Sequence, residues 1–165
     1  MSHELGHLML GLPDLYDRTP GAGADSEGVG QWCLMAGGSW NALGGQYSGQ
    51  TPAHMLAWSK IKSGFGTPAD LTSPATGVTI TPADTGLSMK RIWIDKYRVR
   101  EHFLLESRRL SGYDAGLPGP GLLITHIDPS VTSQNDDETH KLVDVEEADG
   151  LNGLRLGGLR PDRRS

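Results

Sequence analysis

His3-Glu4-Leu5-Gly6-His7, continuing through Leu8-Met9-Leu10 into Gly11-Leu12-Pro13-Asp14-Leu15-Tyr16-Asp17, is the stretch whose spacing decides the fold around it. Two histidines four residues apart stand one above the other on a single helix face, near enough to share one metal ion. Zinc suits them. It accepts neutral imidazole nitrogen at about 2.0–2.1 Å, and a catalytic site takes three protein ligands and leaves one position to water. Glu4 comes directly after the first histidine. From there a carboxylate can reach the water at the open position, take its proton during attack on a carbonyl, and return it to a leaving amine. The alternative is a chance occurrence of the pattern, and the residues beyond His7 bear on the choice.

After Leu8-Met9-Leu10 the helix can stop at Gly11, because glycine enters the left-handed conformation without steric cost. Pro13 then forbids its resumption. A tight Gly/Pro turn of this kind can throw Asp14 back toward the histidines as a third ligand. The expected helix, His3 to Leu10, is apolar at Leu5, Leu8, Met9 and Leu10 and forms the back wall of a cleft. It is also short. Isolated helices below about 12 residues are marginal in water, so packing must hold it.

These residues, together with Gly28-Val29-Gly30-Gln31-Trp32-Cys33-Leu34-Met35-Ala36-Gly37-Gly38-Ser39-Trp40-Asn41, resemble the M6 family of zinc metallopeptidases, the immune inhibitor A type. Further likenesses lie at Phe103-Leu104-Leu105-Glu106-Ser107-Arg108, Leu117-Pro118-Gly119, Gly121-Leu122-Leu123-Ile124-Thr125-His126-Ile127-Asp128 and Glu147-Ala148-Asp149-Gly150, so the similarity runs from His3 to about Gly150. The resemblance implies a metzincin-like catalytic domain, with His3, His7 and Asp14 on zinc and Glu4 as general base and acid. It also implies that Met35 forms the methionine turn beneath the ligands. The implied substrate is a polypeptide and the implied location extracellular. Three residues separate His7 from Gly11 where the family usually has two, and one extra residue turns a helix by about 100°. Asp17 is the reserve ligand should Asp14 be displaced. Cys33, where the family more often has a polar residue, reads as a buried or half-buried free thiol.

Composition narrows the classes. The chain has 165 residues, fits one ordinary domain, and with 23 glycines and 10 prolines is loop-rich. A net charge of −5 offers no overall basic footprint, so neither nucleic acid nor membrane is an expected partner. One cysteine excludes an internal disulfide framework. No signal peptide is recognisable, and His3 stands close to the first residue, so a fragment of a longer catalytic domain is expected.

The expected fold class is α+β, in three portions. Residues 1–66 hold the active-site helix, the methionine-turn loop and a second helix. Residues 67–154 form a β-rich half, and residues 155–165 a disordered tail. Thr51-Pro52 resembles an N-cap with a first-turn proline, opening a helix that runs to Gly64 with Met55, Trp58 and Ile61 on one face. His54 then reads as an exposed helix residue. Short β-rich runs come next, at Val78-Thr79-Ile80, Arg91-Ile92-Trp93-Ile94, His102-Phe103-Leu104-Leu105, Leu122-Leu123-Ile124-Thr125 and Leu142-Val143-Asp144-Val145.

Three lesser candidates remain. Asp25 and Glu27 read as solvated loop carboxylates. His126 and Asp128 share a strand face, and hydrogen bonding to neighbouring loops outweighs metal binding for them. Asn135-Asp136-Asp137-Glu138 and Asp144 to Asp149 gather the oxygen ligands Ca2+ prefers without the spacing of an EF-hand, so Ca2+ is a secondary cofactor candidate behind Zn2+. The leading expectation is a zinc-dependent endopeptidase. The other is a truncated, non-catalytic fragment of such an enzyme acting as a structural or interaction module.

Overall fold

A computed structural model of the chain describes residues 2–19, 26–151 and 153–154, and the expected tail at 155–165 lies outside them. The fold is mixed α+β. Helix α1 (Ser2–Leu10) leads, two single 3-10 turns come after it at Gly30–Trp32 and Gly37–Trp40, and then the short helix α2 (Ala57–Lys62). Five strands complete it: β1 (Ala69–Asp70), β2 (Lys90–Asp95), β3 (Glu101–Arg108), β4 (Gly121–Ile127) and β5 (Val143–Val145). They lie in sequence order in one sheet, with β1 parallel to β2 and every later pair antiparallel.

Alternation along the strands sets which side is covered. On β3, His102, Leu104, Glu106 and Arg108 are buried, and the register places them beside Ile127, Thr125 and Leu123 of β4. That face carries the core, where Leu104, Leu123, Ile127 and Val143 join Leu12, Leu15, Val29, Met35 and Leu56 in one cluster. Residues from both the 1–66 and 67–154 segments therefore share a single apolar core.

The structure departs from the sequence pattern in three places. The helix expected from Pro52 begins only at Ala57. The Thr51 N–H donates instead to the Asn41 carbonyl (3.0 Å) and the Ala53 N–H to the Gly38 carbonyl (2.9 Å), so this stretch is used to pair with the preceding loop. Val78-Thr79-Ile80 forms no strand. Val78 is exposed and has no apolar surface to cover, while Ala69–Asp70, too short to register as a pattern, is the first strand of the sheet. Finally, Leu5, Leu8 and Met9 point to solvent, so α1 does not wall a cleft with its apolar side chains.

What holds α1 down is its one buried residue, Gly6. A Cβ built there would lie 2.5 Å from the Met35 sulfur, so helix backbone rests directly on that side chain. The absence of a side chain at Gly6 is what permits the contact.

Candidate metal centre

The two histidines emerge from α1 one turn apart, with ring centroids 4.7 Å apart and planes nearly perpendicular. Each is fixed through its inner nitrogen. His3 Nδ1 bonds the Leu34 carbonyl at 2.7 Å, and His7 Nδ1 bonds the Leu12 carbonyl at 2.6 Å. A carbonyl oxygen can only accept, so in the neutral ring each Nδ1 carries the proton and each Nε2 is left with a lone pair. Those two nitrogens lie 3.0 Å apart.

Asp14 closes the group. Its Oδ1 is 3.0 Å from His3 Nε2 and 3.1 Å from His7 Nε2. Helix α1 keeps Leu8, Met9 and Leu10 in regular turns, and Gly11 then reverses the chain at φ +60, with its N–H bonded to the His7 carbonyl and the Leu12 N–H to the Gly6 carbonyl. The three residues between His7 and Gly11 are thereby accommodated, and Asp14 reaches both histidines. Asp17 does not join them. Its Oδ1 accepts from the Thr19 N–H and hydroxyl at 2.7 and 2.6 Å.

Three outward-facing donors at mutual separations of 3.0–3.1 Å repel one another unless a proton or cation lies among them. Donors about 2.0–2.1 Å from a tetrahedral ion stand roughly 3.3–3.4 Å apart, so the observed triangle is within about 0.4 Å of what zinc requires. The backbone carbonyls on both Nδ1 atoms supply the outer hydrogen bonds that orient metal-binding imidazoles. Among the described residues this is the one group of three His, Cys, Asp or Glu side chains that converges in this way.

The Cys33–Met35 segment ties the arrangement together. Leu34 offers its carbonyl to His3, and the Met35 carbonyl accepts from the Leu15 N–H at 2.9 Å, one residue beyond Asp14. Met35 itself is fully buried beneath Gly6. Cys33 is a buried free thiol whose sulfur accepts the Met35 N–H at 3.3 Å, and burial pushes its pKa up, so it stays protonated. Asn135 braces the other side: its side-chain amide donates to the carbonyls of Leu15 (3.1 Å) and Val143 (2.8 Å), joining β5 to the loop that carries Asp14.

A cleft of about 590 Å3 opens beside this group, lined among others by His3, Glu4, Tyr16, Asp17 and Trp40. Glu4 is exposed there, on the residue next to the first histidine. Tyr16 is a member of the site that the histidine motif does not name. Burial, and after it the Asp14 carboxylate it bonds and the charge on Glu4, holds its pKa above the ordinary 10, so its hydroxyl remains a donor. Its position two residues beyond Asp14 is the sequence signal that points to it.

The remaining candidates serve structure. His126 pairs with Glu101 at 2.8 Å, whereas Asp128 pairs with His140 at 2.7 Å, so the two do not form one site. Asp136 is bound by Arg18 and Asp137 by Thr139, which leaves the Ca2+ reading without support. Asp25 lies outside the described residues. His54 precedes α2 instead of lying on it, and its N–H donates to Asp114 at 2.9 Å.

Comparison with known proteins aligns residues 1–66 with the family model described as immune inhibitor A peptidase M6, catalytic domain. No curated protein and no solved structure matches the chain.

Proposed function

We propose that this chain, whose residues 1–66 match the family model of the immune inhibitor A peptidase M6 catalytic domain, is a zinc-dependent endopeptidase in which His3, His7 and Asp14 hold the ion. The observation that carries this reading is the convergence of two imidazole lone pairs and one carboxylate oxygen within 3.1 Å of each other, each ring oriented from behind by a backbone carbonyl. Zinc held by such a set supplies Lewis acidity to a peptide carbonyl and lowers the pKa of a water to about 7.

The chain's own groups then divide the work. Glu4, exposed at the cleft beside His3, accepts the proton of the attacking water and delivers it to the leaving amine. Tyr16 keeps its proton and hydrogen-bonds the Asp14 carboxylate, which steadies that ligand. Met35 and Gly6 keep the ligand helix at a fixed depth, the role the methionine turn has in the metzincin-like architecture we infer. Family resemblance supports an extracellular location, and no described helix is long and apolar enough to cross a membrane.

Glu4→Gln separates chemistry from metal binding. The variant should hold zinc as the parent does and lose hydrolysis of an unstructured protein substrate by about a hundredfold or more. Undiminished hydrolysis would remove Glu4 from the reaction.

A further inference from the structure

The charge of this protein is unevenly placed. Five of its fifteen Lys and Arg residues fall within residues 90–100, at Lys90, Arg91, Lys96, Arg98 and Arg100, and Asp95 is the one carboxylate among them. These residues form β2 and the turn that leads into β3. In a chain of net charge −5 this hairpin is a local basic pole.

Three of the cations gather on one ring, that of Trp93, which stands opposite His102 on the core-side face of the sheet. Arg91 lies 4.1 Å, Arg100 5.6 Å and Lys96 6.0 Å from the centre of the Trp93 indole. Asp70 answers only part of this charge, pairing with Arg91 at 2.7 Å and approaching Lys96 at 3.9 Å. Among the described residues Lys90, Arg98 and Arg100 have no carboxylate partner.

The same hairpin exposes apolar surface. Tyr97 at its tip is 91% exposed, and Ile92, Ile94 and Val99 are 39%, 50% and 39% exposed. Ile92 and Ile94 alternate with Trp93, so they lie on the face of the sheet away from the core, where the register continues Ile92 into Phe103 and His126, with Leu105 and Ile124 one pair further along. Around the His126–Glu101 pair that outer face carries Phe103, Leu105 and Ile124, more apolar side chains than the solvated face of a one-sided antiparallel sheet ordinarily presents. Leu122, also on it, is 56% exposed.

We propose that the β2–β3 hairpin and the adjoining outer sheet face dock this protein on an anionic phospholipid membrane. Charge complementarity names the partner, because unpaired cations at the tip meet lipid phosphates while Ile94, Tyr97 and Val99 enter the interface below them. Amphipathic surfaces with cations around aromatic and aliphatic side chains bind membranes in this way. A soluble polyanion would use the cations and leave the apolar side chains idle; a membrane uses both.

The test is co-sedimentation of the full chain with vesicles of 30% phosphatidylglycerol in phosphatidylcholine, against pure phosphatidylcholine, at ~0.1 M salt. Binding is expected to the anionic vesicles only. Each cation near such a surface strengthens attachment about fivefold, so Lys96→Gln with Arg98→Gln should weaken it about 25-fold. Tyr97→Ser, at an exposed turn where folding is not at stake, should weaken it several-fold with the charge unchanged. Failure of the parent protein to bind anionic vesicles, or equal binding to both kinds, overturns the proposal. So does a Tyr97→Ser protein that binds like the parent while soluble heparin displaces it, which would mark a site for polyanions in solution.

Discussion

At the scale of single residues, the geometry of His3, His7 and Asp14 depends on groups that lie outside the triangle. Leu34 and Leu12 present carbonyls to the inner nitrogens of His3 and His7, and Met35 supports the helix at Gly6. This makes Gly6→Ala an informative change. In an unobstructed helix interior, alanine in place of glycine stabilises by about 1 kcal/mol. Here the new methyl would lie 2.5 Å from the Met35 sulfur within a closed core, and forcing the two apart should cost about 1–3 kcal/mol. A lower thermal midpoint and weaker zinc binding are expected; a higher midpoint with zinc binding intact would show that Met35 is not the floor of the site. The histidine pair is legible from sequence because its spacing is local to one helix. The Gly6–Met35 contact is not, since it joins residues 29 positions apart, and nothing in a glycine announces what will lie against it.

At the scale of elements, the strand β3 shows why pattern alone misplaces function. Its alternation marks two faces without saying which is inward, and the inward one carries charge: Glu106 accepts from the Ala57 N–H at 2.9 Å and from Lys60 at 3.2 Å. Arg108, fully buried, donates to both oxygens of Asp114 at 2.7 Å and to the Trp32 carbonyl at 3.0 Å. This polar network fixes α2 and the start of the Met35 segment to the sheet. Thr51-Pro52, which looks like a helix start, is taken up instead by the bonds of Thr51 and Ala53 to the Asn41 and Gly38 carbonyls of the preceding loop. Burial alone would raise the Asp114 pKa, but the Arg108 hydrogen bonds and charge outweigh it and bring it below its ordinary value. A carboxylate depressed in the native state contributes stability that is fully present above its unfolded pKa of about 4 and is lost as pH falls through the lower native value. His54 and His102, whose pKa values burial lowers, add a loss that begins as pH drops below about 6.5. The urea midpoint should therefore decline from pH 7 toward pH 3, and Asp114→Asn should flatten the acid end of that decline. A midpoint constant to pH 3 would contradict the assigned network.

At the scale of the whole molecule, one core joins the segment that carries the metal group to the β-rich segment that braces it, chiefly through Asn135 and Arg108. Overall composition indicates a loop-rich chain, and the short helices and strands of the structure agree. Composition gives no hint of the basic pole at residues 90–100, because an average charge conceals its own distribution. The proposed metal binding and hydrolysis both rest on the triangle of His3, His7 and Asp14. Its most direct test is calorimetric titration of Zn2+ into the metal-free chain, alongside the Asp14→Ala variant. One ion per parent chain is predicted, with affinity reduced at least about a hundredfold in the variant. No binding by the parent, or equal affinity in the two proteins, would contradict it.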